Sequence, residues 1–148
     1  MVDFTGIKIA VDFDGTIVEH AYPKIGKEKL FAFQTLKELD RLGAILILWT
    51  IRTGAELNEA VEYCRMNGVE FYAVNKNYPE EIVDETVSRK INADIYIDDK
   101  NIGGFPGWSG VWQILKPYEV EEMEAEKRIF SARKNIFKRI FKLLTRNE

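Results

Sequence analysis

The stretch IAVDFDGTIVEH, residues 9–20, runs from apolar residues into two aspartates separated only by Phe13. Its lead-in, IKIAVDF (7–13), is short, uninterrupted and rich in β-branched residues, which predicts a strand buried on both faces at the centre of a parallel sheet. A dry strand should not finish in unpaired charges, because burying even one ionised carboxylate without a partner is costly. Asp12 and Asp14 therefore call for a compensating group. Strand alternation turns both toward one side and Phe13 toward the other, into the core.

Outward from this strand, helix-like and strand-like segments alternate, the pattern of a parallel sheet covered by helices. KEKLFAFQTLKELDRLG (27–43) places Leu30, Phe31, Phe33, Leu36 and Leu39 on a helical stripe that stops at Gly43. AILILWT (44–50) predicts a second strand, GAELNEAVEYCRMNG (54–68) a helix ending at Gly68, VEFYAV (69–74) a third strand and ADIYIDD (93–99) a fourth. GVWQILK (110–116) is a weaker fifth strand. The polar segment 75–90, broken by Pro79, is too short for a second domain. In an open parallel sheet, ligands collect at the carboxyl ends of the strands. Strand one ends there in Asp12 and Asp14, strand two in Thr50, and strand four in Asp98 and Asp99.

In this order the motifs resemble those of the haloacid dehalogenase superfamily of phosphohydrolases. The first, DxDGT after a hydrophobic strand, is Asp12-Phe13-Asp14-Gly15-Thr16; the second, a Ser or Thr closing the next strand, is Thr50 in LILWT. The third, a basic residue ahead of the fourth strand, best matches Lys90 in SRKINAD, with Arg89, Arg52 and Lys100 near enough to supply the same charge. The fourth, an acidic pair, is Asp98 and Asp99 in IYIDD. The resemblance spans residues 7 to 100 and is closest to small bacterial members without a cap domain. It implies an α/β, three-layer Rossmann-like domain with a mostly parallel five-stranded sheet and no large cap, the segments after strands one and three both being short.

Carboxylates gathered within ~5 Å repel by roughly 3 kcal/mol per pair at an effective dielectric near 20, so a divalent cation is the natural remedy. Hard oxygen ligands with room for phosphate point to Mg²⁺, and one His with one Cys offers no zinc cluster. The resemblance implies that Asp12, the Asp14 backbone carbonyl and a carboxylate of the acidic pair hold the metal, Asp99 being favoured over Asp98. It further implies a phosphatase in which Asp12 attacks phosphorus and water hydrolyses the aspartyl phosphate. Asp14 would serve as acid and base, its pKa raised by neighbouring acids, while Thr50 hydrogen-bonds a phosphoryl oxygen and Lys90 neutralises charge. Gly15 lets the backbone turn beneath the phosphate, and Arg52 is a further substrate-binding candidate. The bland alternatives are a polar turn at Asp12 and Asp14, a helix cap at Thr50, a surface role for His20, and core packing for Trp108. The functional alternative is a catalytically weak phosphate-binding or scaffold protein.

The rest of the chain bounds these readings. A length of 148 residues fits one domain with a core over about 5–117, and 46% hydrophobic with 30% charged residues is the balance of a globular protein. No apolar run reaches the ~20 residues of a membrane span, and acidic Asp3 stands where a secretory signal is basic, which predicts a cytoplasmic protein. The lone Cys64 lies at helical spacing with Leu57, Ala60 and Val61 and predicts a buried core thiol. A net charge of −3 gives no strong nucleic-acid signal, yet residues 127–147 carry eight basic residues and no acid. That segment predicts an amphipathic helix over about 118–146 that packs on its own domain, on a second copy in a homo-oligomer, or less favourably on an anionic membrane surface.

Overall fold

The computed structural model describes residues 3–116. The predicted C-terminal amphipathic helix, and with it the oligomer and membrane readings, lies outside the described residues. Val2–Trp112 form one compact unit; a second contains Gln113 onward, of which residues 113–116 are described.

IKIAVDF forms β1 (Lys8–Val11) as its run of apolar residues requires, with Ile9, Ala10 and Val11 buried. Helix α1 (Ala32–Arg41) follows, then β2 (Ile45–Leu48), α2 (Gly54–Met66), β3 (Ala73–Val74), β4 (Ile95–Ile97) and α3 (Gly107–Leu115). The four strands make one parallel sheet in the order β3-β2-β1-β4. The chain walks outward from β1 through β2 to β3, then returns to lay β4 on the other side of β1. This reversal makes β1/β4 the topological switch point, the crevice where ligands sit in such sheets.

Two expectations are corrected. GVWQILK is the end of helix α3 and not a fifth strand: Trp108, Val111, Trp112 and Leu115 fall at i, i+3, i+4 and i+7, and the buried Trp108 and Val111 lie on that stripe. Leu30 and Phe31 precede α1, because Phe31 has φ of 66° after a turn closed by the Ala32 N–H on the Lys29 carbonyl, and both are exposed. Phe33, Leu36 and Leu39 keep their predicted places in the core. Helix α1 runs into Leu42 and Gly43, the glycine at φ 92°, where a Cβ would stand 2.7 Å from Thr5 Oγ1.

Right-handed crossovers in one direction put α1 and α2 on the same face of the sheet. The connection from β3 to β4, residues 75–94, holds no helix, so the expected helical layer is replaced there by packed loop, with Ile91 set against Ile47 and Ala73. The 12–31 segment contains two isolated bridges, Asp14 to Val18 and Val18 to Glu28, and no cap-sized insertion. Among the described residues no helix is long and apolar enough to cross a membrane.

Candidate active site

Register brings the sequence-distant acids together. Val11 pairs with both Leu48 and Ile97, and the Asp12 N–H continues the ladder onto the Ile97 carbonyl at 2.9 Å. Asp12 and Asp98 thereby leave adjacent strands side by side. Carboxylate oxygens of Asp12, Asp98 and Asp99 lie within 4.8 Å of one another. Thr50 stands two residues past the end of β2 on the other flank, nearly buried, its N–H fixed by Asn75 Oδ1 at 2.8 Å. Asp12, Thr50 and Asp98 line a common cleft of about 670 Å³. The N-cap of α2 is Thr53, so Thr50 is not a helix cap.

Asp12 carries the largest resolved carboxyl shift. Burial, opposed by a 3.0 Å hydrogen bond from Thr16 Oγ1 and reinforced by the charges of Asp98 and Asp99, pushes its pKa up to about 7. Asp99 moves the other way: burial raises it, but hydrogen bonds from His20 and Lys100 hold it below the usual carboxylate range. His20 Nε2 lies 2.8 Å and Lys100 Nζ 3.1 Å from Asp99 Oδ2, while the Lys100 N–H donates to Asp98 Oδ1 at 2.7 Å. His20, its side chain 56% exposed, is therefore a surface residue tied to the acidic pair. Gly15 is needed here twice over, since its φ is 93° and a Cβ would come within 2.6 Å of Asp99 Oδ2.

Asp14 has a different environment from the one expected. The sequence places it between other acids, yet its carboxylate pairs with Arg52, Nε on Oδ2 and a terminal nitrogen on Oδ1, both at 2.7 Å. Arg52 is 0% exposed. It also donates to the carbonyls of Pro23 at 2.9 Å and Lys24 at 2.8 Å, and lies between the Phe13 and Tyr22 rings, 5.0 and 5.2 Å from their centroids. The Asp14 carboxylate raises the Arg52 pKa further. With four hydrogen bonds made and no exposed surface, Arg52, expected from the sequence as a substrate-binding candidate, holds Asp14 and the 22–24 loop. β1 ends at Val11, ahead of Asp12 and Asp14, and Phe13 is buried as expected.

The third basic position is also rearranged. Lys90 is exposed, with Nζ over the Tyr96 ring at 5.5 Å, and is not among the cleft-lining residues; Lys76 and Arg89 are. Trp108 is fully buried, its indole N–H donating to the Thr16 carbonyl at 2.8 Å, so it braces the loop behind Asp12. Sequence reasoning gave no role to Thr16, Asn75 or Lys76. Thr16 lay within the motif itself, while Asn75 and Lys76 follow β3 directly, where the strand-end rule applied to the other strands would have found them.

No protein-family model matches the chain, and no curated protein matches it. Among solved structures, a conserved protein from Bacteroides thetaiotaomicron matches at 54% sequence identity over 75% of this chain and 90% of its own, with a TM-score of 0.71. The chain belongs to that protein's family. Kinship at this identity carries the α/β fold, and the chemistry rests on the residues themselves.

Proposed function

We propose that the chain is a Mg²⁺-dependent phosphomonoester hydrolase that works through an aspartyl phosphate on Asp12, as the resemblance to the haloacid dehalogenase superfamily implies. The observation that carries this reading is the convergence of Asp12, Asp98 and Asp99 within 4.8 Å at the sheet's switch point, with Thr50 on the same cleft. Three hard oxygen donors at this spacing fit a small divalent cation. Asp12, Asp98 and Asp99 would hold it, and when bound it supplies the positive charge that lets one anion approach another.

The work of the chain's own side chains follows from their placement. Asp12 Oδ attacks phosphorus and the bond to the leaving oxygen breaks; Thr16, bonded to Oδ2, fixes the carboxylate so that its other oxygen is presented. The Thr50 hydroxyl, already accepting from the Arg52 N–H at 3.2 Å, turns its own proton to a phosphoryl oxygen. Lys76 and Arg89 are the cleft cations available for the phosphoryl charge. Asp14 gives a proton to the leaving oxygen and later takes one from water, which requires an Asp14–Arg52 hydrogen bond to open. Water then attacks phosphorus, freeing Asp12 and inorganic phosphate.

A second reading, binding of phosphate without useful turnover, is favoured by one observation: both Asp14 oxygens are engaged as acceptors by a buried arginine. Hydrolysis of p-nitrophenyl phosphate with and without Mg²⁺ separates the two. The hydrolase reading expects Mg²⁺-dependent turnover that disappears in Asp12→Asn, and activity surviving in that variant would sink it.

A further inference from the structure

The cleft beside Asp12 is much larger than a phosphoryl group needs. At about 670 Å³ it lies within the range of small-molecule sites, and its lining mixes polar with apolar residues. Asp12, Thr50 and Asp98 occupy the phosphate end. The apolar part of the lining is supplied by Trp49, Ile51, Leu57, Val74 and Val83. Ile51 is 89% and Val83 49% exposed. Large aliphatic side chains left open to water around a cleft mark a surface that a ligand covers.

Of the polar residues in the same lining, Asp12, Lys76, Arg89 and Asp98 are charged, and Thr50, Thr53 and Asn75 are neutral hydrogen-bonding groups. Asn75 Oδ1 is committed to the Thr50 N–H, and Lys76 and Arg89 are charged groups suited to the phosphoryl oxygens. Thr53 is the remaining hydroxyl on the wall. A polyhydroxylated leaving group pressed against Ile51, Leu57 and Val83 would strand its hydroxyls without partners, which is expensive, whereas an apolar face placed there gains from leaving water.

We infer that the substrate class is a phosphomonoester whose alcohol presents an apolar or flat aromatic face to Ile51, Leu57 and Val83 of the cleft lining, in preference to the phosphate of a sugar that carries no such face. This rests on the hydrolase reading for turnover, but the preference of the wall is a property of binding and is separable from it. Ile51 and Val83 are the specificity-determining positions. Both are exposed, so polar replacements there leave folding intact.

The test uses the full chain with Mg²⁺ and two readouts. Calorimetry compares 3-phenylpropylphosphonate with methylphosphonate, which cannot be hydrolysed. Turnover compares three phosphates of primary alcohols, so that leaving-group reactivity is matched: 2-naphthylethyl phosphate, adenosine 5′-monophosphate and glucose 6-phosphate. The expected result is about tenfold tighter binding of the phenylpropyl compound and about tenfold higher kcat/KM for the naphthyl or adenosine substrate over the sugar. The first of these two winning identifies a hydrocarbon face, the second a nucleobase. Ile51→Ser with Val83→Ser should remove most of the preference. Leu30→Ser, which alters an aliphatic residue 77% exposed and outside the cleft lining, should keep it. Equal binding of the two phosphonates, or glucose 6-phosphate as the best substrate, overturns the inference. Binding preference with no turnover of any phosphate supports the ligand class and removes the hydrolase reading alone.

Discussion

Arg52 offers the sharpest physical test of how the site is built. Replacing it with Met keeps much of its length and its packing between Phe13 and Tyr22, but deletes the two 2.7 Å hydrogen bonds to Asp14 and the two to the carbonyls of Pro23 and Lys24. Both charged partners are buried, the Arg52 side chain completely and that of Asp14 to within 10%. Removing one partner of a buried pair leaves an uncompensated charge, which costs about 3–5 kcal/mol, whereas replacing both by apolar groups is often close to neutral. Urea unfolding of the metal-free chain, followed by tryptophan fluorescence, should therefore show Arg52→Met losing about 3–5 kcal/mol, or roughly 10 °C in Tm for a chain of this size. Adding Asp14→Leu to Arg52→Met should recover most of that loss. The reasoning is refuted by a single mutant within about 1 kcal/mol of wild type, or by a double mutant as unstable as the single.

Three other perturbations have expected outcomes. Gly15→Ala places a Cβ within 2.6 Å of Asp99 Oδ2 on a backbone at φ 93°, so it should lower stability by at least about 1 kcal/mol and weaken Mg²⁺ binding; calorimetric titration equal to wild type would contradict the close approach. The Asp12 pKa is raised from its ordinary 3.8 to about 7, so the folded metal-free chain binds more protons than the unfolded one between those values. Its contribution to stability is present below about 4 and lost as pH rises through about 7; Asp12→Asn should flatten that slope in pH-dependent urea melts, and a level wild-type profile would count against it. Cys64 is buried, which pushes its thiol up to about 12, so the native protein should resist a thiol reagent at pH 8 and react only when unfolded.

The sequence was most informative where one residue pattern had one physical solution. The β-branched run before Asp12 could only be a central strand, and apolar strand ends carrying Asp98, Asp99 and Thr50 had to meet it once the sheet was parallel. It was least informative where local pattern and tertiary partner competed. GVWQILK is as apolar as a strand, and only the stripe shared with Trp108 shows that it is helical. Asp14 was legible as an acid and illegible as a partner, because Arg52 comes from 38 residues away through a turn that no local pattern specifies. Lys90 was chosen by its distance from β4 along the chain; without a helix in residues 75–94 to fix its direction, its side chain lies on Tyr96 while Arg89, one residue earlier, faces the cleft.

The central claim is that Asp12 becomes phosphorylated. Mixing the protein with Mg²⁺ and a phosphomonoester, quenching within one turnover and treating with hydroxylamine before peptide mass analysis reads this directly. The account predicts a hydroxylamine-labile phosphoryl group on the peptide carrying Asp12, absent without Mg²⁺ and in Asp12→Asn. Phosphate release at full rate with no label on that peptide at any quench time would contradict it.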